Sequence, residues 1–111
     1  MSTLPNVAIA VIEQGKICDY LLSDPHPVGG PKAAFFKSFG FNINNPDELA
    51  EALLAHAKAH PAVALPPTVH GQKYEISGPL ACPDGRLPHV KAVWIVDAGQ
   101  TIPRLVTAVP D

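Results

Sequence analysis

A chain of 111 residues has room for one hydrophobic core and not two, so a single domain over residues 1–111 is expected. Its net charge of −2 argues against a role that lives on bulk attraction to nucleic acid, and any RNA contact must come from a local patch. The 13 prolines lie between patterned segments and at their edges rather than in one tract, which reads as rigid loops and excludes a disordered tail.

Residues 7–13 mix Ala with Val and Ile before Gly15 interrupts, as a short strand or an extended arm would. Val7 to Ile12 has no basic leader and falls well short of the roughly twenty apolar residues of a membrane span, so a soluble, cytoplasmic chain is expected. Ile17, Tyr20 and Leu21 follow at helical spacing over 16–22, and Pro25 with Pro27 makes 24–30 a loop. Pro31 suits the first position of a helix, which puts Gly30 at the cap and Gly40 at the stop, with Phe35 and Phe39 on one face.

Asn45-Pro46-Asp47-Glu48 combines a cap residue, a proline at the first helical position and two acids in the first turn. A helix to about Ala59 is predicted, buried along Leu49, Leu53 and Ala57 and ended by His60-Pro61. Tyr74 and Ile76 alternate with Lys73 and Glu75 as in a half-buried strand, and 78–88 is rich in turn residues. Val90 to Val96 is apolar on both faces and suits a central strand. Ala98-Gly99-Gln100 turns the chain into a last strand, Ile102 to Val109, whose Pro103 belongs at an edge or a bulge. Helices followed by strands give an α+β fold, with N-terminal helices packed on one face of a small three- or four-stranded antiparallel sheet.

Lys32 carries the most chemistry. A cation in the opening turn of a helix opposes the macrodipole, and a bound anion would compensate it. Amides freed by Gly29 and Gly30, the dipole and the Lys32 ammonium could together hold a phosphate or a carboxylate. His26, near its ordinary pKa, can take or give a proton beside that charge. The plainer alternative is a structural loop and a solvated lysine. His70 and His89 each open a predicted strand, and either could meet the His26 loop or simply be satisfied by water. His56 and His60 stand four apart on one helix face but lack a third ligand, so no metal site is expected. Arg104 and Thr107 have an odd separation, which places them on opposite faces of a regular strand unless Pro103 or a bulge shifts the register. Trp94 fills the core rather than stacking a base, and Cys18 and Cys82 read as two reduced thiols.

The tract YLLSDPHPVGGPKAAFF over 20–36 with GFNI, and VWIV over 93–96 with PRLVTAVP over 103–110, resembles a bacterial domain family of unknown function. Members occur free-standing and at the ends of large secreted toxins, and the likeness runs from Lys16 onward. They are similar to the barnase, EndoU, colicin and RelE group of metal-independent ribonucleases. That resemblance implies a small ribonuclease-like toxin domain, needing no cofactor, with RNA and a cognate antitoxin or immunity protein as partners. It also implies functional positions at Lys32, Arg104 and Thr107, with His26 a fourth; from the loop and strand reading above, Gly29, Gly30 and His70 are the expected substrate contacts. Where many relatives carry Tyr, this chain has Val109. The alternatives are a non-catalytic interaction module, immunity-like or a toxin partner, and a binder of a small anionic ligand.

Overall fold

The strands form a four-stranded antiparallel meander in the order β1-β2-β3-β4: β1 Ala62–Ala64, β2 Gly71–Pro79, β3 His89–Asp97 and β4 Arg104–Pro110. The chain is seen in a computed structural model that describes residues 3–17, 30–42 and 44–111, apart from the side chains at positions 14 and 30–32. Before the sheet come a 3-10 turn at Val7–Ile9, a single helical turn α1 (Gln14–Lys16), and helices α2 (Gly30–Ser38) and α3 (Pro46–Ala59). The expected α+β architecture is therefore present, and one strand, β1, appears where proline-rich sequence gave no strand signal. No helix among the described residues is long and apolar enough to cross a membrane.

One face of the sheet is built for helices. Ala62, Ile76, Ala92 and Ala108 stand in register across all four strands and are buried. Three small side chains in that row let helices approach closely. Beside it Ala64, Tyr74, Trp94 and Leu105 form the next row. Leu49, Leu53 and Ala57 of α3, with Phe36 of α2 and Phe41 just beyond it, join these residues in one core. Each fully buried leucine contributes roughly 1.5–3 kcal/mol relative to exposure. The predicted α3 stripe is thus the observed one.

His56 fixes α3 against the sheet. Its Nε2 lies 3.1 Å from the carbonyl oxygens of Gly78 and Val90, which are partners across β2 and β3. Carbonyls only accept, so Nε2 carries the proton and Nδ1 is the bare nitrogen, buried with no hydrogen-bond partner. Burial, the largest influence, lowers the His56 pKa against the smaller pull of the carbonyl bonds. Next to it His60 Nε2 lies 3.0 Å from Pro79 O. The two imidazoles that share a helix face serve to dock that helix.

Several local expectations shift. Residues 7–13 form the 3-10 turn and then a single parallel bridge from Val11 to Arg104, rather than a strand. Of the helix expected over 16–22, the described residues cover only its start, and α1 lies there. Helix α2 begins at Gly30 itself, so Gly30 is its first residue rather than its cap, and Gly40 follows the helix at φ 101° as a stop requires. Asn45 precedes α3, yet its side chain makes no capping hydrogen bond; at φ −136°, ψ 64° it leaves Pro46, Asp47 and Glu48 to define the start. Arg86 ties the β2–β3 loop to α2 through Asp84, the Ser38 carbonyl and the face of Phe39.

Candidate functional site

The face of the sheet away from the helices is polar, and a register shift in β4 sets its layout. Val93 pairs with Thr107 and Trp94 with Leu105, so Val106 is an extra residue on the β4 side. Ile95 then pairs with Arg104. Ile95 and Val93 are two apart on β3 and share a face, so Arg104 and Thr107 share it too. The odd separation that would have divided them is cancelled by the bulge.

Rows on this outer face run Lys73–Ile95–Arg104, Glu75–Val93–Thr107 and Ser77–Lys91–Val109. Two ion pairs and a histidine–carboxylate hydrogen bond cross it. Arg104 meets Asp97 side-on, Nε 2.7 Å from Oδ2 and Nη2 2.9 Å from Oδ1, with the two side chains 37% and 34% exposed. That donated hydrogen bond is the main cause holding the Asp97 carboxyl below its usual range. Lys91 Nζ lies 3.4 Å from Glu75 Oε2, and His89 Nδ1 lies 3.1 Å from Asp111 Oδ2. Pro61, Val63, Glu75, Ser77, Lys91 and Asp111 line a cleft of about 430 Å³ on this face.

Ile95 is 4% exposed although it belongs to the outer face and lies outside the helix-side core. It stands between the two cations of its row. At the same end of the sheet the Val11 N–H donates to Pro103 O at 2.9 Å and the Leu105 N–H to Val11 O at 3.2 Å, so the arm covers the start of β4. Pro103 accordingly accepts without donating, at an edge and near a bulge as expected.

The sequence-predicted residues fall into three groups. Arg104 and Thr107 come together on the outer face. His70 sits in the exposed turn before β2; its carbonyl accepts from Ala98 N–H at 3.0 Å, at the Asp97 end of the sheet. Lys32 lies in the first turn of α2, where Gly30 is also placed, and no acid shares that turn. His26 and Gly29 lie outside the described residues, as does Cys18. Cys82 is a free thiol whose proton is held by Leu80 O, and burial pushes its pKa up to about 11, which leaves it inert.

Sequence reasoning missed Asp97, Lys73, and the pairing of Lys91 with Glu75 and of His89 with Asp111. A signal existed for Asp97: an acid that closes a strand just before a Gly turn, facing an arginine that opens the next. Among the described residues no group of three or more His, Cys, Asp or Glu side chains is arranged to hold a metal ion.

The same fold occurs in a chain of a contact-dependent growth inhibition toxin–immunity protein complex from Klebsiella pneumoniae 342. The TM-score is 0.69 at 18% identity, over 92% of this chain and 100% of that one. No curated protein matches the sequence. The match that spans residues 3–111 is to DUF6883, a domain of unknown function, and the chain belongs to that family.

Proposed function

We propose that this chain works in a toxin–immunity or toxin–antitoxin system as a ribonuclease that cleaves RNA phosphodiesters without a metal. The observation that carries the reading is the bulge at Val106, which gathers Arg104 and Thr107 on one face of the sheet, the face that carries its ion pairs. The fold shared with a chain of a toxin–immunity complex supports the setting. In the reaction a ribose 2′-hydroxyl attacks the neighbouring phosphorus and gives its proton to a base, for which His26 is the candidate. The 5′-oxygen leaves and takes a proton, so a cyclic phosphate and a 5′-hydroxyl result with nothing else consumed. Lys32 and Arg104 stabilise the charge that builds on the phosphorane, and Thr107 hydrogen-bonds it. Gly29, Gly30 and His70 contact the substrate. The test is expression in bacteria of the chain and of Lys32→Ala, scoring growth and RNA integrity. Toxicity and RNA decay that need Lys32 support the reading; equal growth with intact RNA in both removes it.

A second reading, a non-catalytic partner protein, is favoured by one observation. Arg104, Lys91 and His89 on the outer face are each already met by an acid, which suits a protein interface as well as a polyanion. Copurification of a stoichiometric protein with no RNA cleavage would select it.

A further inference from the structure

Arg104 is engaged by Asp97 through one edge only. A guanidinium has five N–H donors, and the side-on pair uses Nε–H and one hydrogen of Nη2. Three donors remain, two of them forming the end-on fork that matches adjacent oxygens of a phosphate. Asp97 therefore does not consume Arg104; it fixes the plane in which that fork is presented. The second cation of the row is Lys73, which stands two strands away on the same face, in register through Ile95. Adjacent strands are about 4.8 Å apart, so the two backbones are roughly 10 Å apart. Both side chains are long enough to meet over a group that size. Among the described residues Lys73 makes no ion pair.

We propose that the Lys73–Ile95–Arg104 row is a phosphate subsite, with Arg104 and Lys73 as its ligands and Asp97 as the positioning residue for Arg104. The subsite rests on the ribonuclease reading for its natural occupant, a phosphodiester of single-stranded RNA, and on the geometry alone for its affinity for oxyanions. Thr107 occupies the adjacent row of the same face. Asp97 leaves the substrate untouched and acts through Arg104.

Two measurements on the full chain separate this site from the activity it serves. In the first, inorganic phosphate is titrated while the side-chain resonances of Arg104 and Lys73 are followed by NMR. Both are expected to shift in the wild type, and the Arg104 Nε–H shift is expected to disappear in Asp97→Asn. In the second, cleavage of a defined single-stranded oligoribonucleotide is followed for the wild type, Lys73→Gln and Asp97→Asn. Lys73→Gln is expected to raise KM about tenfold with kcat kept, and to reduce the slope of log KM against log salt by about 0.7. Phosphate shifts without RNA cleavage would leave the subsite standing and remove the ribonuclease reading. RNA cleavage with wild-type KM and salt slope in Lys73→Gln, or phosphate that moves neither resonance, would overturn the subsite alone. Lys73 is half-buried and makes no ion pair among the described residues, so thermal unfolding of Lys73→Gln is expected to stay close to that of the wild type; Asp97→Asn is expected to lose only the contribution of its pair with Arg104, and the unfolding curves separate loss of binding from loss of fold.

Discussion

Arg104 and Asp97 face each other diagonally across the β3–β4 hairpin, joined by two parallel hydrogen bonds of 2.7 and 2.9 Å. The carboxyl is held below its ordinary range because the guanidinium donates to it. A carboxyl depressed in the folded state contributes stability above its unfolded pKa of about 3.9, and that contribution is lost as pH falls through the folded value. Urea midpoints of the wild type and Asp97→Asn should therefore differ near neutrality and converge at acid pH. A gap that stays constant far below the carboxyl range would show that the pair carries none of the stability.

His56 imposes the opposite charge requirement in the same direction of pH. Its pKa is lowered chiefly by burial, and the charged groups acting on it, His60 and His89, lower it further. The folded state therefore needs the neutral imidazole, while the unfolded chain takes up a proton near 6.5. Its stabilising contribution is complete above that value and falls as pH drops from there towards the folded pKa. His56→Gln keeps a donor for the Gly78 and Val90 carbonyls and cannot titrate. Its unfolding free energy should be flatter than the wild type's across that window, and His56→Ala should cost about 1–3 kcal/mol at neutral pH. Parallel pH curves for wild type and His56→Gln would contradict this account.

Patterned apolar residues announced the elements, and unpatterned ones hid the site. Leu49, Leu53 and Ala57 at helical spacing, and the two-sided apolar run over 90–96, read directly because burial repeats with the period of the element. Strand β1 escaped because Ala62 to Ala64 is flanked by Pro61 and Pro66, and its pairing with β2 is a long-range choice. The shared face of Arg104 and Thr107 required knowing that Val106 is the inserted residue, and nothing local in Leu105-Val106-Thr107 marks a bulge. Asp97 and Lys73 look like ordinary surface charges until the register lays them beside Arg104.

Gly78 is held to glycine by His60. A Cβ built there would lie 2.6 Å from the His60 ring, the same ring that packs at 4.9 Å against His56. Gly78→Ala should destabilise by about 1–3 kcal/mol, because the ring, and the end of α3 with it, must move. His60→Ala removes the obstacle, so the double variant should lose clearly less than the sum of the single changes. Strict additivity in denaturant unfolding would mean that the strain lies elsewhere.

The bulge offers a test that does not depend on any activity. Leu105 already faces Trp94, and Thr107 already faces Val93, with Val106 lying between them. Deleting Val106 therefore closes the ladder without moving either pairing: Leu105 and Ala108 stay on the helix side, Arg104 and Thr107 on the outer side. Deleting Ala108 instead closes the bulge by drawing Thr107 opposite Ala92, onto the buried face, where an unpaired hydroxyl costs about 1–3 kcal/mol on top of the lost packing. The Val106 deletion should fold with a modest drop in Tm and keep the amide shifts of β3, while the Ala108 deletion should be far less stable. If both deletions are equally damaging, the extra residue is not Val106, and the common face of Arg104 and Thr107 needs another explanation.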